Sequence, residues 1–383
     1  MTTYQGGEFY KRLGVTRVVN AASWLTKLGG SIMQPAVVDA MNDASHWFVD
    51  MHDLNRKAGD VIAKFTGAEA GLVTAGSAAG MLLEAAACMT GTDPAKVNRL
   101  PDSAGLKNEI VIHRQHLVSY AHNFRAAGAK LVEIGGADST KEWELDDAIG
   151  ENTAAVAFVF GPRQAGALPL AQVIEIAHKR DVPVIVDAAA MLPPPENLTR
   201  FIDMGADMVS FSGGKGVLGP QSSGILCGRA DLMEAAYMNA APNSEGVGRA
   251  AKVCKEEIAG LITALEIFVD TDFTAVQAKW HSQCDHVVSE LQGIPGVHAH
   301  IVETEPDIDE SNFTHPRAII KFDKSWKGPS MERVVEMLED GDPSIRVGSA
   351  GSYGGISIIP VDLQPGDEEL IAQRLKEIFT TGN

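Results

Sequence analysis

Short, continuous apolar runs alternate with segments of helical period over much of this chain. Runs such as Val182–Asp187 have the length and the Val and Ile content of strands that helices cover on both faces. In the segments between the runs, apolar residues recur every three or four positions, which is the period of an amphipathic helix. Between about residues 35 and 225 this alternation predicts βα units on a mainly parallel sheet.

The predicted elements of this region form a doubly wound large domain. The predicted helices are Pro35–Trp47, Arg56–Thr66, Ser77–Met89, Leu170–Arg180 and Leu198–Met204. The predicted strands are Ala70–Val73, Glu109–Ile112, Lys130–Ile134, Ala154–Phe160, Val182–Asp187 and Met208–Ser212.

A turn-rich stretch around residues 241–248 ends this pattern, and Lys255–Val269 is predicted to be a helix that leads out of the large domain. The later predicted elements are helices at Trp280–Leu291 and Glu368–Phe379, with strands at Val297–Val302, Arg317–Phe322 and Ser344–Val347. We therefore expect an N-terminal segment of residues 1–34, a large domain of residues 35–255, and a linker helix with a small α/β C-terminal domain over residues 256–383.

Composition and charge narrow the class of partner. The 383 residues are 45% hydrophobic and carry a formal net charge of −18, which disfavours a nucleic-acid partner and favours a small molecule. No apolar run reaches the roughly 18 residues of a membrane span, and the N-terminus lacks the basic and apolar regions of a signal peptide. The four cysteines lie far apart in the sequence and have no CxxC spacing, which favours reduced thiols over a disulfide framework or a zinc site. We expect a cytoplasmic protein with no membrane partner.

Two residues at predicted strand ends indicate the chemistry. Asp187 ends an apolar strand, and Lys215 stands among glycines after the next strand. A pyridoxal 5'-phosphate (PLP) enzyme needs a carboxylate that keeps the pyridine nitrogen protonated and an amine that forms a Schiff base. The alternatives are a turn or cap role for Asp187 and a solvated loop position for Lys215.

The segment Thr74–Gly80 fits the phosphate of such a cofactor. It follows a predicted strand and opens a predicted helix, so the N–H groups of Gly76, Ser77 and Ala78 would face an anion. The alternative is that Ser77 merely caps a tightly packed helix. Ser210 and Ser212, which precede the lysine, are further candidates for the phosphate.

Several segments resemble the fold-type-I PLP enzymes related to bacterial selenocysteine synthase (L-seryl-tRNA selenium transferase). They are Arg17–Ala21, Thr74–Gly80, Val186–Ala190, Phe211–Gly216, Gly219–Gly224, Lys252–Ile258 and Pro360–Gly366, which span nearly the whole chain. The resemblance implies an aspartate aminotransferase-like fold with Asp187 at the ring nitrogen and Lys215 as the Schiff-base lysine. It also implies a homodimer with sites at the subunit interface.

The short segment before Arg17 leaves no room for the RNA-binding extension of the selenium transferases, which together with the acidic charge points to the small-molecule branch of the family. That branch includes D-glucosaminate 6-phosphate ammonia-lyase.

The resemblance also suggests roles for residues outside these segments. His116 follows a predicted strand, where fold-type-I enzymes place a residue that stacks on the pyridine, and a histidine there also passes protons. The alternative is a loop histidine that caps the next helix. With His113 and His122 it forms no convincing metal site, so no metal is predicted.

A substrate carboxylate suits an arginine, and Arg346 in the small lobe is the first candidate, with Arg56, Arg163 and Arg249 as rivals. His52 and Asp53 precede a predicted helix. Facing the active site across the dimer is one role for them, but we expect Asp53 simply to cap the helix.

These expectations combine into a PLP-dependent lyase that acts on a small polar amino acid by α,β-elimination, releasing a 2-oxo acid and ammonia. Lys215 takes the Cα proton, and His116 is the acid that assists the leaving hydroxyl. Retro-aldol cleavage and racemisation use the same lysine and carboxylate and stay open. A selenium transferase-like protein that acts on an aminoacyl-tRNA, and a non-catalytic PLP-binding regulator, are hypotheses from other classes.

Overall fold

The computed structural model describes residues 7–136, 138–160, 165–303, 315–349 and 354–381. The chain divides into two compact units. We call residues 33–271 the large unit, and residues 7–32 together with the described residues from 272 onward the small unit.

The large unit is built around a seven-stranded sheet. Its strands are β2 (Ala70–Thr74), β3 (Glu109–His113), β4 (Lys130–Ile134), β5 (Thr153–Val159), β6 (Val184–Asp187), β7 (Met208–Ser212) and β8 (Gly224–Gly228). The spatial order is β2-β8-β7-β6-β5-β3-β4. Neighbours from β7 to β4 are parallel, and β8 runs antiparallel to both β2 and β7. The parallel order brings the carboxyl ends of β6 and β7 to one edge of the sheet.

Helices connect these strands. They are α2 (Pro35–Ser45), α3 (Met51–Thr66), α4 (Gly76–Thr90), α5 (Pro94–Arg99), α6 (His122–Ala126), α7 (Glu142–Ala148), α8 (Leu170–His178), α9 (Asn197–Asp203), α10 (Ala230–Asn239) and α11 (Lys255–Val269). Every residue of β5, β6 and β8 is buried, as the continuous apolar runs of the first two predict. Helix α4 packs mainly on β7 and β8, and its first turn lies at the carboxyl end of β6, where Ser77 contacts Asp187.

The small unit has a five-stranded sheet with the order β1-β11-β12-β10-β9. These strands are β1 (Val18–Ala21), β9 (Val297–Glu303), β10 (Pro316–Phe322), β11 (Ser344–Ser349) and β12 (Ile356–Ile358), and the helices are α1 (Glu8–Leu13), α12 (Phe273–Glu290), α13 (Met331–Glu339) and α14 (Asp367–Thr381). Strand β1 pairs in parallel with β11, so the start of the chain is part of this sheet.

Two predicted helix starts are wrong because the capping residue went unrecognised. Helix α3 begins at Met51 and not at Arg56, because Asp50 accepts hydrogen bonds from the N–H groups of His52 and Asp53. The expectation that Asp53 caps this helix is therefore also wrong. Helix α12 begins at Phe273 and not at Trp280, because Asp272 caps it in the same way.

Strand β8 is missing from the predicted elements because glycines at both ends and a single short apolar run give it a weak pattern. The predicted domain limits stay a prediction, and the compact units differ from them in two places. Strand β1 belongs to the small unit, and helix α11 belongs to the large unit.

Within the part of the chain that the structure describes, no helix has the length and apolar character needed to cross a membrane.

Candidate functional site

The candidate site lies at the carboxyl ends of β6 and β7 in the large unit. Asp187 is the last residue of β6, and Lys215 lies in the turn that follows β7. The N-terminus of α4, which follows β2, belongs to the same edge, because Ser77 of its first turn contacts Asp187. In doubly wound sheets this edge is where ligands bind. The structure therefore brings together the three features that the sequence predicts.

Asp187 is a buried carboxylate with well-defined donors. Its Oδ1 atom accepts a hydrogen bond from the Ser77 hydroxyl at 3.0 Å and another from the Ala189 N–H at 3.0 Å. Burial raises the pKa of Asp187, while these two hydrogen bonds and the charge of Lys215 act in the opposite direction. A cation placed against this carboxylate would stabilise its ionised form.

Lys215 is the matching amine. Burial lowers its pKa, and the negative charge of Asp187 partly opposes that shift. A lowered pKa increases the fraction of neutral amine, which is the nucleophilic form.

The turn around Lys215 requires glycine where its backbone packs against other segments. A Cβ atom at Gly214 would lie 2.3 Å from the Cα of Gln221, and one at Gly216 would lie 2.3 Å from the carbonyl oxygen of Leu192. Both contacts are with backbone, which cannot move aside as a flexible side chain does. The glycines therefore allow this turn to pack closely and hold Lys215 in a partly buried position.

The N-terminus of α4 has the form of an anion site. Gly76 opens the helix with a φ of +73°, a backbone conformation that favours glycine. No side chain caps the helix, and its first turn contains no acidic residue. The alternative that Ser77 caps α4 is wrong, because its hydroxyl bonds Asp187 instead. The first N–H groups thus remain without a side-chain acceptor.

The two serines on β7 differ in environment. Ser210 lies opposite Asp187 in the parallel pairing of β6 and β7, is fully buried, and its hydroxyl is 3.1 Å from that of Ser77. Ser212 ends the strand opposite Gly224 and is only partly buried. Of the two serines, Ser212 is the one at the carboxyl end of β7.

His116 lies in a short 3-10 helix directly after β3 and has 1% of its surface exposed. Its ring packs edge-on against Phe158 at 4.5 Å, and its Nδ1 atom accepts a long hydrogen bond from the Val159 N–H at 3.4 Å. Acceptance at Nδ1 assigns the proton of the neutral ring to Nε2. The neighbouring His113 is buried as well, and burial lowers its pKa to about 4.

The candidate substrate arginines are dispersed. Arg346 on β11 of the small unit pairs with Glu339 at 2.7 Å. Arg56 on α3 pairs with Glu234 at 3.5 Å and covers the Tyr237 ring, whose hydroxyl lies 2.7 Å from Nδ1 of His52. Arg163 lies outside the described residues.

The large unit also has an open cavity of about 380 Å³ that neither Lys215 nor Asp187 lines. Its basic residues are Arg249, Lys252 and Lys255, and its apolar wall includes Phe48 and Pro242. The local chemistry at Lys215 and Asp187 identifies the candidate catalytic site better than the size of this cavity does. Over the described ranges, no cluster of three or more His, Cys, Asp or Glu side chains could hold a metal ion.

Comparison with known proteins gives a family match and two relatives that align over nearly their full length. The model of the SelA family, L-seryl-tRNA selenium transferase, matches residues 19–279. A 5'-C-glycyluridine monooxygenase-decarboxylase from Streptomyces sp. is 34% identical over 97% of this chain and 92% of its own length. A D-glucosaminate-6-phosphate ammonia lyase from Salmonella typhimurium is 32% identical over 96% of this chain and 97% of its own length.

Solved structures agree with the predicted fold. A structure of D-glucosaminate-6-phosphate ammonia-lyase matches with a TM-score of 0.87 and 31% identity over 100% of both chains. A serine palmitoyltransferase from S. paucimobilis with a bound PLP–myriocin aldimine matches with a TM-score of 0.57 and 12% identity, over 96% of this chain and 88% of that chain. The second likeness concerns the fold alone, and with the sheet order it confirms the predicted fold-type-I class.

Proposed function

The chain belongs to the SelA family, and from this premise we propose that it is a PLP-dependent lyase that acts on a small polar amino acid. The proposed reaction is an α,β-elimination that releases ammonia and leaves a 2-oxo acid. The observation that supports it best is the pair of the buried Asp187 and the partly buried Lys215, whose pKa values are shifted in opposite directions at one edge of the sheet.

The residues present fit PLP on three counts. A buried carboxylate suits the protonated ring nitrogen, a partly buried lysine with a lowered pKa suits the aldehyde, and a helix N-terminus without a side-chain cap suits the phosphate. When bound, PLP supplies an electron sink for the negative charge that develops at the substrate Cα. We propose that Gly76, Ser77 and Ala78 hold the phosphate through their backbone N–H groups.

The serines and the histidine have supporting roles in this proposal. Ser212 is the serine proposed to contact the phosphate. Ser210 is proposed to support the cofactor indirectly, because its buried hydroxyl lies against that of Ser77. His116 is proposed to pack against the ring and to donate a proton from Nε2 to the leaving hydroxyl.

Lys215 is proposed to transfer the proton of the elimination. In its neutral form, the Lys215 amine would accept the proton from the substrate Cα. Burial supports this role because it lowers the pKa of the amine. Asp187 keeps its negative charge opposite the ring nitrogen throughout, held by the donors Ser77 and Ala189.

The substrate residues belong to the same proposal. Arg346 is proposed to bind the substrate carboxylate, which requires it to exchange its ion pair with Glu339 for the substrate. Arg56, Arg163 and Arg249 are the rivals, and Arg249 stands on a cavity wall with two lysines that suits an acidic substrate. The partners we propose are a small amino acid and a second copy of this chain, with no nucleic acid, in the cytoplasm.

A second candidate function is oxidative decarboxylation of an amino acid. It is favoured by the full-length similarity to the 5'-C-glycyluridine monooxygenase-decarboxylase, which is 34% identical. The two candidates differ in what they consume and release. An elimination yields ammonia without oxygen uptake, whereas a monooxygenase-decarboxylase consumes oxygen and releases carbon dioxide.

The cofactor proposal is tested by reduction. Protein purified from PLP-supplemented cells is expected to be yellow, and borohydride is expected to fix the cofactor to the peptide that contains Lys215. Lys215→Ala is expected to lose the reducible adduct, whereas the control Lys57→Ala, at an exposed lysine of α3, is expected to keep it. A colourless wild-type protein, or an adduct on another lysine, would contradict the proposal.

The reaction is tested by a substrate screen. D- and L-hydroxy amino acids and amino-sugar acids are incubated with the holoenzyme, while ammonia, 2-oxo acid and oxygen are measured. Equal amounts of ammonia and 2-oxo acid without oxygen uptake support the elimination. Oxygen uptake with carbon dioxide favours the second candidate, and glycine with an aldehyde indicates aldol cleavage.

A further inference from the structure

Glu84 on helix α4 is a buried acid to which the proposed function assigns no role. It is completely buried, and neither carboxyl oxygen has a hydrogen-bond partner among the described residues. A buried polar group without a partner loses its hydration and gains nothing in return, so such groups are normally satisfied by protein or by an ordered water. This acid therefore requires an explanation.

The helix places Glu84 behind the proposed cofactor site. Ser77, Gly80 and Glu84 follow one another at the spacing of a single helix face. At Gly80 the helix lies so close to β7 that a Cβ atom would be 2.8 Å from the Cβ of Ser210. Glu84 is one turn further, roughly 6 Å along the axis, and side chains on a helix point back toward its N-terminus. Its carboxyl group is thus directed toward the region of Ser210 and Asp187.

The donor-to-acceptor direction of the hydrogen bonds in this region leaves the Ser210 oxygen without a donor. The single hydroxyl proton of Ser77 goes to the Asp187 carboxylate. The Ser77 oxygen, 3.1 Å from Ser210, must then accept the Ser210 proton. The oxygen of Ser210 is left with lone pairs that face a fully buried space.

The charges around Glu84 favour its neutral form. Burial raises its pKa, and the negative charge of Asp187 raises it further. The thiols of Cys88 on α4 and Cys227 on β8 also interact with it, and among the described residues the causes of the raised pKa include no cation. Asp187 has the donors that stabilise a charge and Glu84 has no hydrogen-bond donor among the described residues, so Glu84 is the carboxyl group expected to stay protonated.

We propose that Glu84 is a neutral carboxylic acid that donates through one buried water molecule to Ser210, completing a chain from Glu84 through Ser210 and Ser77 to Asp187. Glu84 is thereby a positioning residue for the carboxylate that faces the ring nitrogen. The role in cofactor binding rests on the proposed function, whereas the protonation state of Glu84 is a property of the protein without cofactor.

The protonation state is tested on the protein stripped of cofactor. An infrared difference spectrum between wild type and Glu84→Gln at neutral pH is expected to show the carbonyl stretch of one protonated carboxylic acid in the wild type only. The control Glu151→Gln, at an exposed position before β5, is expected to produce no such difference. Absence of the band from the wild type would overturn the proposal. Because the measurement is made without cofactor, its outcome does not depend on whether the protein binds PLP.

The chain is tested by equilibrium titration with PLP. Glu84→Gln is expected to bind with unchanged affinity, because its amide also donates, whereas Glu84→Met is expected to bind roughly fivefold more weakly, the equivalent of one net hydrogen bond. In a Ser210→Ala background, Glu84→Met is expected to have no further effect, because the acceptor is gone. The proposed hydrogen-bond chain would be overturned if Glu84→Gln and Glu84→Met weakened PLP binding equally. It would also be overturned if the effects of Glu84→Met and Ser210→Ala were fully additive. If Glu84→Met fails to fold, the infrared measurement alone decides.

Discussion

At the scale of single residues, Asp187 combines a functional role with a cost in stability. Its pKa is raised mainly by burial, so the folded protein holds the neutral form more tightly than the unfolded chain does. The contribution of the protonated Asp187 to the free energy of unfolding is present below the pKa that this group has in the unfolded chain. It is lost as the pH rises through the pKa of the folded protein. A buried charge that is retained despite this cost indicates a ligand of opposite charge.

Asp187→Asn tests this compromise. The neutral amide cannot form an ion pair with a protonated ring nitrogen. The affinity for PLP is therefore expected to fall roughly 10- to 100-fold, as for the loss of a charge-assisted hydrogen bond. The denaturation midpoint of the cofactor-free variant at neutral pH is expected to equal or exceed that of wild type, because the burial of a charge is relieved. Cofactor titration and urea unfolding measure the two effects, and a variant with unchanged PLP affinity would rule out the ring contact.

Asp187 and Lys215 were predictable at this scale because strand-end position and flanking glycines leave a local signal in the sequence. The contact from Ser77 to Asp187 left none, because it joins residues that are distant in the chain. Glu84 had a weak signal that was not used: it is a lone acid among alanines and leucines in a helix of otherwise apolar pattern.

At the scale of elements, the helix starts depend on single capping residues. Asp272 accepts hydrogen bonds from the N–H groups of Thr274 at 3.0 Å and Ala275 at 3.2 Å, and so begins α12 a full two turns before the predicted start. The first turns of α12 have a weak apolar periodicity, and for that reason the pattern alone placed the helix start too late.

Asp272→Ala is expected to lower the free energy of unfolding by about 1 kcal/mol, the usual cost of losing such a cap. The control is Asp285→Ala, at an exposed position within the same helix, which is expected to change the stability by less than half of that amount. Chemical denaturation of both variants measures the difference. Equal effects of the two substitutions would show that the cap contributes nothing.

At the scale of the whole molecule, several buried acids make stability depend on pH in one direction. Burial raises the pKa of Asp362 to about 7, and it also raises the pKa values of Asp187 and Glu84. Each of these groups binds its proton more tightly in the folded state than in the unfolded state. Stability that is present below the unfolded pKa is lost as the pH rises through the folded pKa.

For Asp362 the window lies between its ordinary value of 3.8 and about 7. Asp362→Asn is expected to remove this contribution. Within the window, the unfolding equilibrium constant of wild type is expected to rise relative to that of the variant by up to tenfold per pH unit. Above the window, the ratio of the two constants is expected to stay constant. An amide at this position still offers an oxygen to the side chain of Asn20, which now donates to Asp362 at 2.9 Å. Parallel stability profiles of the two proteins would contradict the raised pKa.

The exposed apolar residues of the single chain support the proposed homodimer. Phe48 is fully exposed between α2 and α3, and its neighbours Trp47 and Val49 have 66% and 48% of their surfaces exposed. Consecutive exposed residues of this kind are typical of a surface that another protein covers.

Phe48→Asp is expected to shift the protein from dimer toward monomer, because a charge would be buried in the interface. The control Trp143→Asp removes another exposed aromatic residue, which lies on α7 with 67% of its surface exposed, and is expected to leave the molar mass unchanged. Sedimentation equilibrium measures both. A wild-type monomer, or a dimer that survives Phe48→Asp, would contradict an interface at this surface.

The sequence by itself predicted the doubly wound sheet, and it predicted that Asp187 and Lys215 lie at neighbouring strand ends, where the structure has them. Those features follow from local patterns: apolar runs of strand length, helical periods, and glycines beside a lysine. The fold-type-I class came from the family resemblance, and the cofactor chemistry stays a proposal. Only the tertiary structure decided the contacts between distant segments. It shows that Ser77 donates to Asp187, that β1 joins the small-unit sheet, and that Glu84 is buried with no hydrogen-bond partner in the part of the chain that the structure describes. The physical reason is that burial and hydrogen bonding between distant segments depend on how helices and strands pack, which periodicity along the chain does not specify.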